Sequence, residues 1–242
     1  MHSYLLKAIK NNALWCDLIT KGHGKIGTFE DELWCNTNEV PLFYPNIITL
    51  NHDFGEAQKA IFDAISRIHP KDNWAIKDSY GTLKLEGDGF FELFESQWFY
   101  RNAALDLPSI KAKKPQIVII KTESDLNRWE KAWSKHQPLA PDGASIFPKS
   151  LLNRHDVVIL ASIQGNKIIN GFIANKTEDV IGISNLFGLA LIEPEKMVPL
   201  LELVWTLLGR LSFVGYESFE DIEKAAEWGV EGTGKLKVWM KS

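Results

Sequence analysis

The sequence predicts an α+β fold: a mixed, largely antiparallel sheet flanked by helices over residues 113–242, preceded by an α/β half over residues 1–112 with the outline of a partial repeat. Three observations lead there. Apolar residues switch along the chain between helical and strand spacing. Strand-like runs in the second half are joined by the short, turn-rich pieces QGNK and KTED, as in an antiparallel meander. The chain then closes on helix, strand, helix and strand in succession.

From Ser3 to about Thr20, Leu5, Ile9, Leu14, Leu18 and Ile19 recur at helical spacing, and Gly22 and Gly24 stop the pattern. Glu32 to Asn36 and Asn46 to Leu50 are β-rich runs separated by turn residues, which predicts a strand pair. Phe54, Ala57, Ile61, Ala64, Ile65 and Ile68 form one helical stripe ahead of Pro70. Trp74 to Asp78 and Phe94 to Arg101 read as strands around Gly87 and Gly89. Asn102 to Pro115 loses periodicity and gathers prolines and lysines, marking a domain boundary near residue 112. Beyond it, Gln116 to Ile120 predicts a buried strand, and Ser124 to His136 a helix capped by Ser124 or Asp125, with Leu126, Trp129 and Trp133 inward. The meander strands are Asp156 to Gln164, Lys167 to Asn175 and Val180 to Leu191. Helix Glu195 to Leu208, strand Phe213 to Glu217, helix Phe219 to Trp228 and strand Lys235 to Met240 finish the chain.

At 242 residues, 45% hydrophobic and 24% charged, the composition is that of an ordinary folded protein. A net charge of −4 lacks the positive field that draws proteins to phosphate backbones, so no nucleic-acid partner is expected. Lys111, Lys113 and Lys114 read as a solvated linker. Cys16 and Cys35 are too few for a disulfide framework and suit a reducing compartment. The opening MHSYLLKAIKNNALW carries charge and amides within its apolar stretch, unlike a signal-peptide core, and no run reaches the roughly 18 apolar residues of a membrane span. A cytoplasmic protein without membrane contact is expected.

The run SNLFGLAL and the closing FVGYESFEDIEKAAEWGVEGTGKLKVW, with Ala225 and Ala226 as a small helix face and Gly229-Val230 before the last strand, resemble parts of the GNAT superfamily of N-acetyltransferases. By order of elements the resemblance spans residues 115–242. It implies a fourth and a fifth strand that splay apart, so that exposed backbone of the fourth pairs with the pantetheine arm of acetyl-CoA. Asn185, Leu186, Phe187, Gly188, Leu189 and Lys196 are then the cofactor-binding candidates. The family's phosphate-binding loop, Gln/Arg-x-x-Gly-x-Gly/Ala, is replaced by IEPEKMVPLLE, which puts Glu193 and Glu195 at the phosphate position with Lys196 to offset them. The segment WAIKDSYGTLKLEGDGFFELFESQWFYR, with Gly89-Phe90 and a strand containing Trp98, has the outline of the same ending.

No HExxH, CxxC, P-loop or G-x-S-x-G motif occurs. His52-Asp53 and His155-Asp156 are chain neighbours that face opposite ways on a strand, so neither a dyad nor a metal site is expected. Tyr216 and Glu217 fall at the end of the fifth strand. Tyr216 can serve as general acid toward a leaving thiolate and Glu217 can accept a proton from an attacking amine. The plainer alternative is that Tyr216 packs in the cleft and Glu217 caps the helix from Ser218. Ser184 and Asn185, polar within an apolar strand, either serve a strand irregularity or face a ligand. Trp129, Trp133, Trp205 and Trp239 belong to inward stripes, whereas Trp34 and Tyr44 lie at strand ends and turns and are, with Ser184, candidates for substrate binding. Function is read as acyl-CoA-dependent N-acyl transfer to a small-molecule or protein amine. The alternative is a catalytically inactive module of the same fold that binds without CoA.

Overall fold

The apolar stripe at the start of the chain becomes helix α1 (His2–Gly22), which buries Ala8, Ile9, Ala13, Cys16 and Ile19. The computed structural model describes residues 2–67, 74–111, 115–137 and 145–241. Ile68, Pro70, Lys113, Lys114, the boundary near residue 112 and the side chain of Phe54 lie outside the described residues. Internal contacts divide the chain into two units, Met1–Trp98 with Thr233–Ser242, and Phe99–Gly232.

In the first unit, α1 is followed by β1 (Thr28–Phe29), β2 (Leu33–Cys35), β3 (Ile47–Thr49), helix α2 (Phe54–Arg67), β4 (Trp74–Asp78) and the greater part of β5 (Phe90–Arg101). Strands β1, β2 and β3 are antiparallel, with Leu33 opposite Thr49; a tight turn joins the first two and a longer loop the second two. β4 lies parallel to β3, with Ile47 opposite Ile76, and α2 supplies the crossover that a parallel pair requires. The end of the last strand, β11 (Val230–Lys241), pairs antiparallel with β4, placing Trp239 opposite Ile76. Ile61 and Ala64 of α2 pack with Leu33, Ile47, Ile76 and Trp239 into one core.

In the second unit, β6 (Gln116–Ile119) and helix α3 (Glu123–Ser134) precede the meander β7 (Val157–Gln164), β8 (Lys167–Thr177) and β9 (Val180–Phe187). Helix α4 (Pro194–Leu208) then crosses to β10 (Ser212–Glu217), which lies parallel to β9, and α5 (Phe219–Ala225) leads to the last strand. The strand order is β10-β9-β8-β7-β6. Met197, Leu200, Leu201 and Val204 of α4 pack on Leu160, Phe172, Ile181 and Phe213 of the sheet. Each such aliphatic side chain contributes about 1.5–3 kcal/mol on full burial. The cap of α3 is Thr122, not Ser124 or Asp125: the Asp125 N–H donates to Thr122 Oγ1 at 3.1 Å.

In chain order, residues 2–101 and 123–241 run through the same series of elements: a helix, three antiparallel strands, a helix, and a strand parallel to the third. Each series ends in a 3-10 turn and a left-handed glycine opening a long strand. Gly89 (φ 81) follows Glu86–Asp88 and opens β5; Gly229 (φ 87) follows Ala226–Trp228 and opens β11. Glycine enters this conformation without the Cβ penalty, so both strands start at the next residue, several positions before the expected Phe94 and Lys235.

Candidate active site

Strands β9 and β10 pair at Val180 with Ser212, Ile181 with Phe213 and Gly182 with Val214, and there the pairing stops. Both continue, β9 to Phe187 and β10 to Glu217. On the other side of β9, Ser184 lies opposite Ile173 and Phe187 opposite Gly171, so Asn185 and Leu186 together face Phe172. This is a β-bulge, and Asn185 holds its left-handed residue at φ 56, a conformation asparagine tolerates better than most. The bulge re-aims the end of β9, leaving backbone beyond Gly182 unpaired with β10. Ser184 Oγ and Asn185 Oδ1 are shielded from solvent with no hydrogen-bond partner among the described residues. A shielded polar atom of this kind calls for a partner.

Side-chain alternation places Tyr216 on the face of Ser184, and Gly215 on the face of Phe213 and Ile181. A Cβ on Gly215 would stand 2.8 Å from Phe99 Cζ and 2.9 Å from the Ile183 carbonyl oxygen, so glycine is required where the strands begin to part. Glu217 accepts the Ser218 N–H at 3.0 Å. Burial raises its carboxyl above the usual range, the Ser218 bond opposes the shift and Asp221 adds to it. The cap of α5 is Ser218, whose Oγ accepts the Asp221 N–H at 3.1 Å.

Phe187, at the end of β9, stands edge-on to Trp129 at 5.2 Å between ring centroids, and Trp129 donates its Nε1–H to the Leu160 carbonyl at 2.9 Å. His136, which sequence reading passed over, lies 5.6 Å from the Phe187 ring. Its only sequence signal is a position three after the buried Trp133. Among the described residues no group of three His, Cys, Asp or Glu side chains converges on a metal position.

The turn from β9 to α4 follows the parted strands. Strand β9 ends at Phe187, short of the expected Leu191, because Gly188 turns at φ 65. A Cβ at Gly188 would lie 2.2 Å from the Ile169 carbonyl oxygen, so this glycine serves packing on β8. The carboxylate of Glu193, N-cap of α4, accepts the Ala190 N–H at 2.9 Å and pairs with the Lys196 ammonium. Pro194 brings no N–H, and those of Lys196 and Met197 both donate to the Glu193 carbonyl at 3.0 Å. The strands thus part over unpaired backbone, while at the turn Glu193 already holds the Ala190 N–H and the Lys196 ammonium.

The corresponding strand ends of the first unit are tied together. The Ser79 N–H donates to Thr49 Oγ1 at 2.8 Å, and the Tyr80 hydroxyl to the Leu50 carbonyl at 2.9 Å. The helix that follows β3 is capped by Asp53, which accepts the N–H groups of Gly55 and Glu56. Trp34 and Tyr44 also belong to this unit, and both are buried. Trp34 has no exposed surface and donates its Nε1–H to Asp17 at 3.1 Å. Ser184 is thus the one substrate-binding candidate at the parted strands.

No protein-family model matches the sequence, and no curated protein matches it. Solved structures are. A functionally unknown conserved protein from Staphylococcus epidermidis ATCC 12228 matches with a TM-score of 0.64 at 9% identity, covering 90% of this chain and 94% of that one. A GCN5-related N-acetyltransferase from Kribbella flavida matches with a TM-score of 0.58 at 8% identity, covering 97% of this chain and 95% of that one. The fold is therefore GNAT-like, and the likeness runs well beyond residues 115–242 into the first half of the chain.

Proposed function

We propose that the second unit is an N-acyltransferase that passes an acyl group from a pantetheine thioester, of which acetyl-CoA is the common form, to an amine. The observation that supports this reading best is the end of β9–β10 pairing at Gly182 and Val214 while both strands continue. An extended amide-bearing arm can hydrogen-bond to the backbone so released. Asn185, Leu186 and Phe187 would line it, with Gly188 and Leu189 at its outer end. Ser184, whose hydroxyl lacks a partner among the described residues, would meet the acyl carbonyl or the amine.

The amine nitrogen attacks the thioester carbonyl carbon, the C–S bond breaks, the sulfur takes a proton and the nitrogen loses one. Tyr216 would protonate the sulfur on the Ser184 face, and Glu217, the last residue of β10 and turned to its other face, would accept the amine proton through a relay around the strand end. A carboxyl raised by burial is a stronger base near neutrality than an exposed one. Direct attack needs no enzyme nucleophile, because alignment of the two reactants supplies most of the acceleration. We give Trp34 and Tyr44, both buried in the first unit, no role in this reaction. Calorimetric titration of the full chain with acetyl-pantetheine and acetyl-CoA tests the proposal. Saturable heat with at least one is expected. No heat with either at millimolar concentration would leave the catalytically inactive module as the better reading.

A further inference from the structure

We infer that the acyl donor is recognised through its pantetheine arm alone, and that Glu193 is the specificity residue that keeps the diphosphate of CoA out of the turn between β9 and α4. The inference rests on the function proposed above and narrows its donor. A diphosphate needs backbone N–H groups, glycines that let it approach, and positive charge. At this turn most of these are already engaged. The Ala190 N–H is taken by Glu193 Oε2 and the Lys196 ammonium by Glu193 Oε1. The first turn of α4 has no N–H at Pro194, and the next ones after Glu195, those of Lys196 and Met197, turn inward to the Glu193 carbonyl.

Gly188 approaches the Ile169 carbonyl so closely that its lack of a Cβ serves the sheet, and no other residue of the 188–193 turn has a positive φ. Glu193 and Glu195 against Lys196 leave the turn with one net negative charge (two acids less one base), which repels an anion. Glu193 thereby does for its own helix what the phosphate of a bound donor would do, and it is held there from both sides. The parted backbone of β9 makes no such demand and remains suited to a neutral amide arm.

The test compares acetyl-pantetheine with acetyl-CoA by calorimetry on wild-type protein and on Glu193→Gln, with urea unfolding of each to show that the variant folds. Wild-type protein is expected to bind acetyl-CoA no more tightly than acetyl-pantetheine. Glu193→Gln keeps an amide oxygen for the Ala190 N–H and frees Lys196, so it should raise acetyl-CoA affinity about tenfold and leave acetyl-pantetheine unchanged. Wild-type protein that prefers acetyl-CoA tenfold or more overturns the inference without the variant, while the acyltransferase reading stands. An equal change for both ligands in the variant also overturns it. Failure of both to bind either protein overturns the inference together with the acyltransferase reading.

Discussion

The Tyr80 hydroxyl donates to the Leu50 carbonyl oxygen at 2.9 Å, tying the segment after β4 to the segment after β3. The equivalent ends of β9 and β10 part instead after Gly182 and Val214. Burial pushes the Tyr80 phenol up to about 12, so it stays protonated and donating throughout the physiological range. Tyr80→Phe should lower stability by about 0.5–1.5 kcal/mol, the ordinary net worth of one such bond. It should not alter acetyl-pantetheine affinity. Urea midpoints and calorimetry on one preparation check both, and loss of binding would bring the first unit into the site.

Asn185 stands at φ 56, where a β-branched side chain is strained. Asn185→Val should cost about 1–2 kcal/mol of stability and weaken acetyl-pantetheine binding by disturbing the bulge. Asn185→Gly, which accepts the conformation freely, should keep the binding. Equal behaviour of the two variants would show that the bulge geometry is irrelevant to the ligand.

Glu217 has its carboxyl raised by burial, so the native protein holds a proton at pH values where the unfolded chain has released it. Stability from this group is present below the ordinary carboxylate pKa and falls as pH rises through the raised one. Glu217→Gln should therefore flatten the stability profile over that window. As general base the group must be ionised, so acyl transfer should rise with pH across the same window. Glu217→Gln should abolish that limb and slow turnover about 10²–10⁴-fold. An unchanged rate profile would remove Glu217 from the chemistry.

Cys16 and Cys35 are buried, and burial raises both thiols to about 11, with Lys77 and Arg67 respectively opposing the shift. A thiol reagent at pH 8 should modify neither in native protein and both after denaturation. Fast labelling of native protein would contradict the buried placement of these residues.

Much of this fold is legible in the sequence because local periodicity reports it. Strand β4 spans Trp74–Asp78 as its pattern predicts, and α4 begins one residue before Glu195. The meander and the parallel return of β10 follow from turn lengths and the α4 crossover. What escaped depends on partners distant in the chain. Trp34 looks displayed at a strand end, yet its indole is claimed by Asp17 in α1. The run to Leu191 looks continuous, yet Gly188 ends it by packing on Ile169. Nor can spacing reveal that the Glu193 side chain folds back onto Ala190, since that depends on the turn's conformation.

The repeated series of elements also bears on how this chain can change over generations. In residues 2–101 the strand ends are sewn together by Thr49, Ser79 and Tyr80, so exchanges elsewhere in this half that preserve packing should be tolerated. In residues 123–241 the parted strands depend on backbone geometry at Asn185, Gly188 and Gly215, where few other residues can stand. Duplicate architectures of this kind should diverge at unequal rates, with the sewn copy drifting and the parted copy held at those positions.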